Sequence, residues 1–215
     1  MGVKVRERKG MDRYLTFGFL ILMFSISMTV SAFGGQFEDA TAAYERGDYA
    51  TAFRLMKPLA EKGDAKAQHN LGVMYDYGRG VPQDYTKALK WYRMAAEHGI
   101  PEAQHNLGLM YQKAQGVPQN YTEAVKWYRR AAEQGLPEAQ FNLGSMYYNG
   151  QGVPQDYILA HMWLNLAASR YPASVKKDLN DAVNYRGIVD SLMTPAQIAE
   201  AERLAREWKP KKEVR

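Results

Sequence analysis

Four histidines, His69, His98, His105 and His161, are the side chains in this 215-residue sequence most easily put to chemical work. His69 and His105 stand 36 positions apart, each inside the string AQHNLG, so the two imidazoles hold equivalent places on successive structural units. Packed helix axes lie about 8–10 Å apart, near enough for two such rings to begin a zinc site. Zinc takes three or four protein ligands, and the third occurrence of the string puts Phe141 where the next imidazole would stand, with no carboxylate joining it. The spacing therefore predicts no metal and no cofactor. His98 reads as a polar residue at a helix C-terminus, where positive charge is favoured. His161 replaces Leu89 and Val125 of the earlier units and is expected to pack beneath C-terminal helices rather than to catalyse. The chain has no cysteine, which removes a disulfide framework, a thiol nucleophile, a thiolate metal site and lipid attachment to an N-terminal cysteine. No Gly-rich phosphate loop follows a strand, no nucleophile elbow is present, and no pair of carboxylates recurs in a setting that suggests acid–base chemistry. No catalytic residue is expected.

The elements that would position these residues come from internal repetition. Asn70, Asn106 and Asn142, Gly72, Gly108 and Gly144, Pro82, Pro118 and Pro154, and Trp91, Trp127 and Trp163 all return at a period of 36, the mark of a stacked repeat architecture. The spacing predicts full units over 64–99, 100–135 and 136–171, preceded by a partial, shorter-looped unit over 37–63. Ala67, Leu71, Met74 and Tyr75 fall on one helical face and define helix A. After Gly80-Val81-Pro82-Gln83, Asp84 is a capping residue for helix B, whose Tyr85, Ala88, Leu89, Tyr92, Ala95 and Ala96 make a second face. Gly99 suits the left-handed end of helix B, and Pro101 opens the next helix A where a missing N–H does no harm. Gly72 in mid-helix costs ~1 kcal/mol relative to alanine. Its return in each unit predicts close helix approach, with an indole or phenol from helix B filling the space. One hairpin cannot bury its own apolar faces, so stability must come from stacking.

These residues carry a resemblance. AQHNLGVMYDYGRGVPQDYTKALKWYRMAAEHG resembles the Sel-1-like repeat, a longer-looped relative of the tetratricopeptide repeat, while AAYERGDYATA in the first unit is closer to the tetratricopeptide form. The resemblance implies an all-α fold, a right-handed α/α superhelical solenoid, and an adaptor role in protein complexes, often outside the cytoplasm in bacteria. Some relatives carry bridging cysteine pairs and have been linked with β-lactam binding; a chain without cysteine is a poor match to that subgroup.

Positions that differ between units are free to serve something other than shared packing. Within helix A these are His69/His105/Phe141, Val73/Leu109/Ser145, Asp76/Gln112/Tyr148 and Tyr77/Lys113/Asn149. At 100° per residue they fall at about 0°, 40°, −20° and 80°, a single stripe. In stacked hairpins the A helices line the concave wall, so the stripe is the candidate partner-binding surface. Its Phe, Leu, Val and Tyr are not what an idle solvated face collects. The recurring Tyr and Trp at helical spacing read as core rather than as a base-stacking platform.

Outside the repeats, residues 1–32 have the basic start, apolar run and small-residue Val30-Ser31-Ala32 ending of an export signal, with cleavage expected after Ala32. An uncleaved anchor, the competing reading, would be the chain's one membrane contact, and either Met1 or Met11 serves as a start. Those residues hold five basic against two acidic side chains, and the last seven hold four against one, so the repeat body is near neutral although the whole chain is +5. No clustered basic stripe is visible, and nucleic acid is not an expected partner. The third helix B is greasier than its counterparts through Met162, Leu164 and Leu166. Its cover is expected to be a helix carrying Val175, Leu179, Ala182, Val189 and Leu192, with Gly187 a point of interruption. Thr194-Pro195-Ala196-Gln197 then opens a last helix with a capping box. Residues 172–209 are thus expected to cap the solenoid, leaving a basic tail over 210–215. The expected role is a non-catalytic protein-interaction scaffold, periplasmic or secreted. The alternatives are an envelope hydrolase acting on peptidoglycan or β-lactams, and a permanent structural part of an envelope or polysaccharide-assembly complex.

Overall fold

The computed structural model describes residues 35–211, and the expected signal segment lies outside them. Among the described residues there are ten α-helices and no strand: α1 (35–45), α2 (Tyr49–Glu61), α3 (Ala65–Tyr77), α4 (Tyr85–Glu97), α5 (Pro101–Lys113), α6 (Tyr121–Glu133), α7 (Pro137–Asn149), α8 (Tyr157–Arg170), α9 (Lys176–Asp190) and α10 (Pro195–Glu207). Helices α3, α5 and α7 are the A helices of the full units and α4, α6 and α8 their B helices. None of the helices is long and apolar enough to cross a membrane.

The helix ends follow from side-chain chemistry. Asp48, Asp64, Asp84, Asn120 and Asp156 each accept the backbone N–H three residues on, satisfying a donor that the first turn leaves orphaned. Pro101 and Pro137 open α5 and α7. Gly63, Gly99 and Gly135, at φ of +96°, +83° and +99°, turn each helix B into the next helix A.

Three contacts recur at the 36-residue period and build the stack. Within a hairpin, Gly72 and Gly108 admit the rings of Tyr92 and Tyr128: a Cβ at either glycine would stand 2.6 Å from the ring. The third unit departs from the expected aromatic, since Gly144 meets Leu164 and the Ala160 carbonyl. Between hairpins, the Nε2 of buried Gln68, Gln104 and Gln140 donates to the carbonyl oxygens of Ala60, Ala96 and Ala132 at 3.2, 3.1 and 3.1 Å. Also between hairpins, Gly80, Gly116 and Gly152 press against the backbone of Tyr49, Tyr85 and Tyr121, the first residue of the preceding helix B. Fully buried alanines, among them Ala95, Ala96, Ala131 and Ala132, let the layers approach.

Helix α8 is covered on three sides, by α7, α9 and α10. The cover differs in detail from the sequence reading. Only Ala182 and Val189 of α9 are buried; Val175 stands before the first turn at 37% exposure, and Leu192 follows the last at 48%. The expected face holds inside the helix, where Leu179 packs partly buried beside Ala182 and Val189 is buried, and fails at the two flanking positions. Gly187 causes no interruption, because nothing lies within 4 Å of where its Cβ would be and the helix continues through it. Thr194 and Gln197 form the expected capping box. Trp208, at the end of α10, meets Trp163 edge-on at 6.2 Å and lies under the Arg170 guanidinium at 4.4 Å, and Lys211 N–H donates to the Glu133 carbonyl.

Candidate interaction surface

The stripe residues do not form one uniform open face. His69 and His105 are partly buried beside the rings of Tyr92 and Tyr128, each at 5.8 Å. Their Nε2 atoms stand 3.3 and 2.9 Å from the Nδ2 of Asn106 and Asn142, so each imidazole ties one helix A to the next. Among the described residues no three His, Asp or Glu side chains converge on a point where a metal could sit. Burial lowers the pKa of both rings, that of His105 to about 4. Asn106 opposes that shift and Lys113 adds to it.

This gives an expected pH dependence. The unfolded chain binds a proton at these imidazoles near pH 6.5 while burial disfavours it in the folded one, so the His105 contribution is full above 6.5 and falls as pH drops from there towards 4, and that of His69 falls in the same direction. Between pH 7 and pH 5 the His105 contribution falls by about 2 kcal/mol. Denaturant midpoints measured at pH 7 and pH 5 should differ in wild type and differ less in His105→Gln; equal differences would mean that the ring is solvated.

Asp76 and Gln112 meet the buried phenols. The Tyr92 hydroxyl donates to Asp76 Oδ2 at 3.2 Å, and that of Tyr128 to Gln112 Oε1 at 2.6 Å. Val73 packs partly buried near Tyr92 and Met110, and Leu109 lies partly buried against the main core. Three of the third-unit members, Phe141, Ser145 and Tyr148, are partly buried. Phe141 meets Tyr185 of α9 at 5.3 Å, Tyr148 meets Tyr157 at 6.1 Å, and the Ser145 hydroxyl turns back to the Phe141 carbonyl. Asn149 donates to the Ser145 carbonyl at 2.9 Å. Tyr77, Lys113 and Asn149 are exposed, Tyr77 by 64%.

What stays open is centred on the first two full units. A cleft of about 200 Å³ is lined by Asp76, Tyr77, Leu109 and Lys113 from the stripe, and by Gln83, Tyr85, Asn106, Met110 and Gln115, which the stripe did not include. Gln83 had a signal in the sequence: the Gln of each Val-Pro-Gln recurs, and the Nε2 of Gln83, Gln119 and Gln155 donates back to the carbonyls of Asp76, Gln112 and Tyr148. It anchors the loop that forms one wall. The others line the cleft because two units meet there, which no single repeat reveals.

The outward charge of the two helix sets differs. Helices α2, α4, α6 and α8 hold nine Lys or Arg to four Glu, whereas α3, α5 and α7 hold two to three Asp or Glu. The cations missing from any one stretch of sequence are gathered on the B helices.

The Sel1 repeat family model matches residues 36–64, 65–100, 101–136 and 137–171. Among solved structures, the chain is similar to a protective antigen present in uropathogenic Escherichia coli strains that displays an SLR fold. The TM-score is 0.73 and the identity 34%, over 85% of this chain and 38% of that one. It is also similar to a Sel1 repeat protein from Oxalobacter formigenes, with TM-score 0.52 and 43% identity over 59% of this chain and 95% of that one. Among curated proteins, DAP3-binding cell death enhancer 1 of Mus musculus is 33% identical over 64 residues, 30% of this chain and 11% of that protein. The chain thus spans about a tenth of that curated relative, and well under half of the antigen.

Proposed function

The chain belongs to the Sel1 repeat family, whose members are generally protein-interaction scaffolds, and we propose that it binds a protein partner in the bacterial cell envelope through its A helices, without catalysis. One observation carries this reading. Units that share the contacts between hairpins diverge on the same helix A positions, and four of the divergent residues, Asp76, Tyr77, Leu109 and Lys113, open together into the cleft. An exposed tyrosine at the mouth and an aliphatic floor supply the kind of anchor that dominates interfaces once water is excluded. The export signal read from residues 1–32 is the ground for the envelope location.

Affinity capture from an envelope fraction tests the proposal. Tyr77→Ala should reduce partner recovery about tenfold or more with little change in melting temperature, since the side chain is mostly exposed. Lys126→Ala on α6 should hold the partner as wild type does, and the intact mass of the recovered protein should begin at Phe33. Retention by Tyr77→Ala with loss in Lys126→Ala would move the site to the B helices. Turnover of a cell-wall substrate by pure protein would favour the hydrolase reading.

A further inference from the structure

We propose that the cleft between α3 and α5 receives a single basic side chain, lysine or arginine, of the partner, with the Asp76 carboxylate as its counter-ion. The inference rests on the A-helix reading and names the chemistry recognised there.

Asp76 and Gln112 occupy the same place in successive units and do the same structural work, accepting the hydroxyl of a buried tyrosine. A neutral amide does this at 2.6 Å and the carboxylate at 3.2 Å, so the fold has no need of a negative charge at Asp76. The carboxylate is nonetheless half-buried on the cleft wall: burial raises the Asp76 pKa, while Tyr92 and Lys113 oppose the shift. Lys113 lines the same cleft and is near enough to act on the carboxylate, but it makes no direct ion pair with it. A carboxylate desolvated without an ion-pair partner is one that an incoming cation relieves.

The walls fit the same ligand. Tyr77 and Tyr85 line the cleft with aromatic rings, which attract ammonium and guanidinium groups, as the Arg79 guanidinium 5.1 Å over the Tyr77 ring already does, and Leu109 and Met110 supply apolar lining for an aliphatic stem. At about 200 Å³ the space is smaller than the roughly 300–1,000 Å³ of pockets that enclose small-molecule ligands, and suits one side chain presented by a chain lying along the A helices.

The probe is N-acetyl-arginine amide, with N-acetyl-citrulline amide as its uncharged isostere, titrated into the purified protein while backbone amide shifts are followed by NMR. Saturable shifts are expected at Asn106, Leu109 and Gln115, with citrulline at least tenfold weaker. Asp76→Asn should lose arginine binding at least tenfold without any fall in melting temperature, because the amide can still accept the Tyr92 hydroxyl. Lys113→Met should bind arginine severalfold more tightly, since a competing cation is gone. Equal response to citrulline, retained binding in Asp76→Asn, or weaker binding in Lys113→Met would each overturn the proposal. The last would point to an anionic or zwitterionic ligand. These failures leave the A-helix reading standing if Tyr77→Ala still releases the partner, whereas a partner indifferent to Tyr77 defeats that reading whatever the cleft does with arginine.

Discussion

Gly108→Leu is expected to lower the melting temperature of the whole array by roughly 6–12 °C, although leucine is a better helix former than glycine. The Cβ alone would stand 2.6 Å from Cδ1 and Cε1 of Tyr128, a ring that is fully buried and bonded at its hydroxyl to Gln112. The ring cannot swing away without breaking that bond and opening the core, so overpacking of about 3 kcal/mol is expected. An isolated α5 peptide carrying the same change should be more helical, not less. Adding Tyr128→Ala should recover part of the loss, because the two residues share one space and their effects cannot add. Calorimetry of the single and double variants is the measurement; wild-type melting in Gly108→Leu would mean the ring is not where the structure puts it.

Gly116→Ala should cost a similar amount for a different reason. Its φ is +68°, a region where an L side chain is strained by about 1–2 kcal/mol. Its Cβ would also lie 2.6 Å from the carbonyl carbon and oxygen of Tyr85, where no side-chain rotation brings relief. The loop of one unit must then lift from the first turn of the preceding helix B, at a total of about 2–4 kcal/mol. Because the contact joins adjacent units, the expected signature in hydrogen exchange is faster opening of α4 and α5 together. Slower or unchanged exchange there would contradict the close approach. Substitution at Gly187, which faces open space, is the matched control.

The two glycines show what a single sequence discloses. Gly72, Gly108 and Gly144 are conspicuous because glycine in mid-helix needs a reason, and close approach is the reason available. Gly80, Gly116 and Gly152 recur just as regularly but sit among turn residues, where glycine already has an explanation, so their packing role is hidden. Gln68, Gln104 and Gln140 are hidden likewise: a polar residue beside an apolar face reads as solvated until its amide is found on a buried carbonyl. Repeat geometry fixed the stripe's angular position but not its upper limit, since Phe141 is covered by Tyr185, 44 positions away in a segment outside the periodic pattern. The cleft belongs to the junction of two units and has no counterpart in the sequence of either.

Hydrogen–deuterium exchange on the protein alone, and saturated with the partner recovered from the envelope, distinguishes binding on the A helices from binding on the B helices. New protection is expected at the C-terminal turns of α3 and α5 and in the two loops that follow them, one holding Gln83 and the other Gln115-Gly116, with α4 and α6 unchanged on their outer turns. Protection confined to α4, α6 or the segment after Trp208, with α3 and α5 unaltered, would contradict the A-helix reading.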